Sequence, residues 1–358
     1  MSEVRAKKAL GQHFLVDLNI ARKICDALSG GVRPEAGAET RAVAAGSADA
    51  DAETRTRVAG YAGAGAEART MAAGSADAGA ETRANAAGYA GAGAETRNGD
   101  GAGIATDARL AADTTAAGAP AAAEEERGGA VPCDVLEVGC GMGVLTQYLL
   151  RRGDITTYGA EIDPESVGYL HAHFPEFAPR LIEGDFLKMN LRERFPRGLK
   201  IIGNFPYNIS SQIFFKVLEN RDLVPECVGM IQKEVAVRIA EPPGSKEYGI
   251  LSVLLQAWYD IEYLFTVNET VFNPPPKVKS AVIRLRRNSV GRLGCDEALF
   301  VKVVKASFGQ RRKMIRNSLR AVFGDFGGAE HPFFTQRAEQ LSVADFVQLT
   351  DWVAANRK

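Results

Sequence analysis

Val135-Leu136-Glu137-Val138-Gly139-Cys140-Gly141-Met142-Gly143-Val144-Leu145-Thr146 is an apolar strand that runs into a glycine-rich turn and then a helical pattern. It reads as the first βα turn of a doubly wound sheet, where glycines let the backbone approach a ligand and let the helix start close to the strand. The spacing is G-x-G-x-G. Val144 stands where the dinucleotide fingerprint requires a third glycine, which disfavours a nicotinamide cofactor.

Working outward, the next strand, roughly Ile155 to Ala160, ends in Glu161-Ile162-Asp163. A carboxylate at that tip can accept both ribose hydroxyls of a nucleoside. The run Arg180 to Phe186 supplies a third strand end, with Asp185 placed to accept from an adenine amino group and Phe186 to stack on its ring. Each feature alone has an ordinary structural explanation; in series they read as one adenosine site. A fourth strand end follows at Ile201-Ile202-Gly203-Asn204-Phe205-Pro206-Tyr207-Asn208. An isolated Asn-x-Pro-Tyr is more readily a plain strand exit, but beside an adenosine site it suits chemistry on an exocyclic amine. The lone pair of such an amine is delocalised into its ring, so two acceptors must hold its hydrogens. The Asn204 side-chain carbonyl and the Pro206 backbone carbonyl are candidates, and Tyr207 offers a face for an extruded base. The ligand implied is S-adenosylmethionine.

Through these segments the chain resembles the ribosomal RNA adenine N6-dimethyltransferases, and within them the small-subunit branch. The markers are Lys7-Lys8-Ala9-Leu10-Gly11-Gln12-His13-Phe14-Leu15, the Glu137 to Thr146 run, Gly203 to Ser210, Gln232 to Val235, Tyr248 to Val253, Phe272 to Val278 and Phe308 to Leu319. The resemblance implies an α/β fold, a Rossmann-like class I methyltransferase domain with a small C-terminal α-helical domain. It implies cofactor contacts at His13, Leu15, Gly139, Gly141, Glu161, Asp185, Phe186 and Asn204, with Asn204, Pro206 and Tyr207 acting on the substrate amine. The implied reaction is dimethylation of two adjacent adenosines in the 3′-terminal hairpin of small-subunit ribosomal RNA, within a pre-ribosomal particle. Cys140 and Phe205 depart from the family's more usual Pro and Leu or Ile, and are expected to tune the pocket. Three other readings stay open: a large-subunit RNA dimethyltransferase, a DNA adenine methyltransferase lacking any recognisable target-recognition domain, and a non-catalytic ribosome-assembly factor.

The chain divides into four segments: residues 1–33, an N-terminal segment with the first helix; 34–128, an insert; 129–290, the methyltransferase domain; and 291–358, a helical domain expected to bind RNA. The insert is almost entirely Ala, Gly, Thr, Ser, Glu, Asp and Arg, with Ala-Glu-Thr-Arg and a near variant recurring every 14 residues. So little apolar surface cannot offset chain entropy, and disorder is expected. The insert holds 8 Arg and no Lys against 15 acidic residues, a net of −7, whereas the whole chain is at −1; the rest is therefore at +6. Basicity peaks in residues 277–320, with 13 Lys and Arg against Asp296 and Glu297, a footprint for a phosphate backbone. Arg311, Arg312, Lys313 and Arg316 are the candidate RNA contacts. On a helical reading Arg312, Arg316 and Arg320 share one face, with Met314, Ile315 and Leu319 toward the core.

The resemblance implies that the N-terminal Lys7 to Leu15 segment lies across the cofactor mouth, where it is expected to act as a gate. Five scattered cysteines lack the spacing of a zinc site or a disulfide framework, so no metal is expected. The absence of a membrane-length apolar run or a signal-peptide core points to a cytoplasmic protein, expected to be monomeric.

Overall fold

The computed structural model describes residues 4, 6, 7, 10–33 and 131–357. The low-complexity insert, residues 34–128, and its expected disorder lie outside the described residues. Contacts divide the chain into Met1–Ala38 with Arg127–Lys358 and, separately, Glu39–Glu126; all of the described residues belong to the first unit.

A short strand β1 (Phe14–Leu15) leads into α1 (Leu18–Ala27). The Asp17 carboxylate starts this helix by accepting the N–H groups of Asn19 and Ile20, and Ala21, Ile24 and Cys25 form its buried face. β2 (Val32–Arg33) then pairs antiparallel with the start of β3 (Val131–Val138), in the register Val32 to Pro132 and Arg33 to Val131. The two ends of the insert are thereby held side by side.

The alternation continues through α2 (Thr146–Leu149), β4 (Ile155–Glu161), α3 (Pro164–His173), β5 (Leu181–Glu183), α4 (Leu191–Arg194), β6 (Lys200–Asn204), α5 (Ser210–Glu219), β7 (Glu226–Gln232), α6 (Lys233–Ala240) and α7 (Ile250–Gln256). β8 (Tyr259–Val267), the two-residue β9 (Phe272–Asn273) and β10 (Ser280–Arg287) complete the strands. The main sheet runs β5-β4-β3-β6-β7-β10-β8. β3 to β7 pair in parallel, and β10 is antiparallel to both of its neighbours. Parallel central strands are covered on both faces, which explains why Ile201 and Ile202, on opposite sides of β6, are both fully buried. The order reverses between β3 and β6. At such a switch point the carboxyl ends of neighbouring strands diverge and leave a crevice for a ligand.

Three helices complete the chain: α8 (Glu297–Gly309), α9 (Ile315–Phe323) and α10 (Val343–Asn356). Phe300, Val303, Val304, Leu319, Phe346 and Leu349 join the apolar cluster that holds Leu254, Trp258 and the underside of the sheet. The helical reading of residues 312–320 is corrected at its start. The chain leaves α8 through a turn closed by Lys313 N–H on the Gln310 carbonyl, and Met314 is extended before α9 starts at Ile315. Met314 is therefore 51% exposed rather than toward the core, and Arg312 does not share the helical face of Arg316 and Arg320. Ile315 and Leu319 are buried as expected. Among the described residues no helix is long and apolar enough to cross a membrane.

Candidate functional site

A cavity opens at the switch point, lined by the carboxyl ends of β3, β4, β5 and β6 and roofed by residues 10–15. Gly139, Gly141 and Gly143 all take positive φ, 76°, 53° and 74°, a conformation that L side chains rarely adopt. A Cβ on Gly141 would lie 3.1 Å from the Phe14 ring, so the turn and the N-terminal segment meet where only glycine fits.

The end of β4 closes back on this turn. Glu161 accepts the Gly141 N–H through Oε2 at 2.8 Å, and the Ile162 and Asp163 N–H groups through Oε1, both at 2.9 Å. Burial raises its pKa against the pull of those three donors. One acceptor position of Oε2 is left over, which suits a ribose hydroxyl. Beneath the turn lies Glu137, 1% exposed, accepting from Thr146 Oγ1 at 2.6 Å. Burial pushes its carboxyl up to about 8, with the neighbouring Glu161 charge adding to the effect.

Asp185 follows β5 and accepts the Leu187 N–H at 2.9 Å, turning the chain so that Phe186 enters the core while still lining the cavity. Lys216 holds this turn from α5, donating to the Leu187 and Met189 carbonyls at 2.8 and 2.6 Å with its ammonium 5.5 Å from the Phe186 ring.

At the end of β6, Asn204 Nδ2 donates to the His13 carbonyl at 2.9 Å. A carbonyl only accepts, so this bond fixes which way the amide faces and leaves Oδ1 as the remaining acceptor of a side chain that lines the cavity. The Pro206 carbonyl accepts the Ile209 N–H at 3.1 Å, which occupies one of its two lone pairs. Tyr207 shares a hydrogen bond with Ser280 Oγ, and its ring lies 5.3 Å from that of His13. Burial raises the phenol's pKa, so Tyr207 is neutral around pH 7.

The N-terminal segment spans these parts. Lys7 pairs with the buried Asp163 and with Glu165 just beyond β4, Gln12 accepts the Lys7 N–H at 2.8 Å, and β1 pairs antiparallel with β9. Leu15 is buried in the core on that pairing. Every expected cofactor and amine contact thus borders one cavity. Of the residues that orient them, Lys7 and Pro274 lie in segments that the resemblance marks, whereas Lys216 and Ser280 carried no signal in the sequence, because each acts on a partner distant along the chain.

The two departures from the family pattern point inward. Phe205 is 1% exposed and packs where a Cβ on Gly203 or Gly229 would come within 2.8 Å of its ring, edge-on to Phe214. The buried Cys140 thiol faces the Glu137 carbonyl and Gly159. Among the described residues no group of three or more His, Cys, Asp or Glu side chains is gathered to hold a metal.

The expected RNA contacts divide in two. Arg311 donates to the Lys246 and Tyr248 carbonyls, and Arg316 pairs with Glu330 and lies over Phe334. Arg312 and Lys313 are exposed.

A family model described as ribosomal RNA adenine dimethylase matches residues 132–355. A ribosomal RNA small subunit methyltransferase A of Bacteroides thetaiotaomicron is 59% identical over 221 residues, covering 61% of this chain and 82% of the relative. The protein of the same name from Parabacteroides distasonis is 60% identical over 218 residues, 60% of this chain and 81% of the relative. Among solved structures, a dimethyladenosine transferase from Plasmodium falciparum superposes with a TM-score of 0.53 at 25% identity, covering 62% of this chain and 90% of that one.

Proposed function

The chain belongs to the ribosomal RNA adenine dimethylase family, and on that premise we propose that it dimethylates N6 of two adjacent adenosines in the 3′-terminal hairpin of small-subunit ribosomal RNA. S-adenosylmethionine supplies a methyl group already activated by its sulfonium, so the protein's task is to orient the amine and stabilise the positive charge developing on it. The glycine turn, the spare acceptor on Glu161, and Asp185 beside Phe186 fit the adenosine of that donor.

The observation that carries the reading is the Asn204 amide, fixed by the His13 carbonyl with Oδ1 left to accept. Oδ1 and the second lone pair of the Pro206 carbonyl would take the two N6 hydrogens and draw the nitrogen lone pair out of conjugation. Tyr207, held at its hydroxyl by Ser280, would stack the base. Residues 291–358 act as the helical RNA-binding portion, with Arg312 and Lys313 reaching phosphates and Arg311 and Arg316 shaping the surface that presents them. The partner is a pre-ribosomal particle, whose folded RNA supplies much of the selection; the enzyme works as a cytoplasmic monomer.

The test is transfer of labelled methyl from S-adenosylmethionine to unmethylated small ribosomal subunits, with large subunits alongside and nucleoside analysis of the product. Dimethyladenosine confined to small subunits is expected. Transfer to large subunits would move the substrate, and tight binding without transfer would leave an assembly factor.

A further inference from the structure

We propose that His13 is a positioning residue for methyl transfer, setting the orientation of the Asn204 amide while itself being set by Pro274. The proposal rests on the reading of Asn204 as an acceptor of the N6 hydrogens.

Strand register brings these residues together. β1 pairs antiparallel with β9 through Phe14 opposite Asn273 and Leu15 opposite Phe272. Continued by one residue, the ladder would place His13 opposite Pro274. The Val16 N–H on the Val271 carbonyl sets the alternation of the ladder, which makes His13 and Pro274 a pair without backbone hydrogen bonds between them. The imidazole supplies the link instead: His13 Nδ1 lies 2.9 Å from the Pro274 carbonyl. That carbonyl only accepts, so Nδ1 carries the proton.

The same residue faces the reaction centre through its main chain. Its carbonyl accepts from Asn204 Nδ2 at 2.9 Å. An amide whose NH2 is held in this way presents Oδ1 to the cavity; a flipped amide would present donors to an amine that must donate its own hydrogens. The orientation that the chemistry needs is thus imposed from outside the Asn204 to Tyr207 turn, by a residue 191 positions away in the chain. The His13 ring also lies 5.3 Å from that of Tyr207, so one residue touches both groups assigned to the base. Resemblance alone places His13 among the cofactor contacts. The bonds that it makes are to Pro274 and Asn204, which predicts a different defect on its removal.

The test uses the full chain with His13→Ala and His13→Asn. An asparagine Nδ2–H can take the place of the imidazole Nδ1–H toward Pro274. Three quantities are read: melting temperature, S-adenosylhomocysteine affinity by calorimetry, and single-turnover transfer to small subunits at saturating methyl donor. His13→Ala should slow transfer on the order of 10- to 100-fold, as expected for a misplaced reacting group. Affinity and melting temperature should be unchanged, and His13→Asn should restore most of the rate. Full-rate transfer by His13→Ala, a loss confined to S-adenosylhomocysteine affinity, or an asparagine variant no better than alanine would each overturn the proposal. Undiminished transfer by Asn204→Ala would instead remove the reading on which it stands, whatever His13 does.

Discussion

Glu161 reaches from the end of β4 to accept the Gly141 N–H at 2.8 Å, while Glu137, on the neighbouring strand, supports the same glycine turn from below through Thr146. Two buried carboxyl groups therefore share one turn, and the Glu161 charge adds to the burial that makes Glu137 harder to ionise.

This pair predicts a pH dependence of stability. Glu137 is pushed up to about 8 from an ordinary 4.5, so the folded state holds its proton more tightly than the unfolded chain does. The resulting stability is complete below about 4.5 and is lost as pH rises toward about 8. Glu137→Gln cannot ionise. Its melting temperature should fall less than that of the wild type between those limits, and parallel curves would show that Glu137 is not protonated in the fold.

Asn204→Ala removes the acceptor proposed to hold the amine. Turnover on small subunits should drop on the order of 10²- to 10³-fold, the cost typical of losing one preorganised transition-state contact. Binding to the particle, measured by sedimentation, should be retained.

The basic surface gives a salt signature. Arg312 and Lys313 are exposed, whereas Arg316 is paired with Glu330. Arg312→Ala or Lys313→Ala should each reduce the slope of log affinity against log salt by about 0.9, the value for one phosphate contact on duplex nucleic acid. Arg316→Ala should change the slope less, since its charge is already partnered. Equal slopes for all three variants would remove the distinction.

Phe205 fills space that only glycines at 203 and 229 leave open. Phe205→Ala should destabilise the fold by about 3–5 kcal/mol in denaturant titration through the cavity that it leaves. Gly203→Ala should cost about 1–3 kcal/mol by overpacking, because its Cβ would lie 2.5 Å from the Val138 carbonyl oxygen.

Arg33 and Val131, the described residues that flank the insert, pair antiparallel. Replacing residues 34–130 with a short Asn-Gly turn suits that antiparallel register. Methyl transfer by the shortened enzyme should match that of the full chain. A large loss of turnover would assign the insert a role in activity.

Much of this was legible along the chain. The glycine turn, the strand tips at Glu161, Asp185 and Asn204 and the alternation of strands and helices are local patterns, because backbone geometry and apolar periodicity act over a few residues. Met314 is the exception: it reads as apolar and helical, yet α9 begins only at Ile315 and leaves it in solvent.

By itself, then, the sequence determined the strand tips that border the cavity and the glycines at its turn. Tertiary structure alone decided what orients them. Lys7 with Asp163, Asn204 with His13 and Tyr207 with Ser280 are 156, 191 and 73 residues apart. The physical reason is that a hydrogen bond needs its partners within about 3 Å. For residues this far apart, strand order and register bring them there, and no local pattern encodes either.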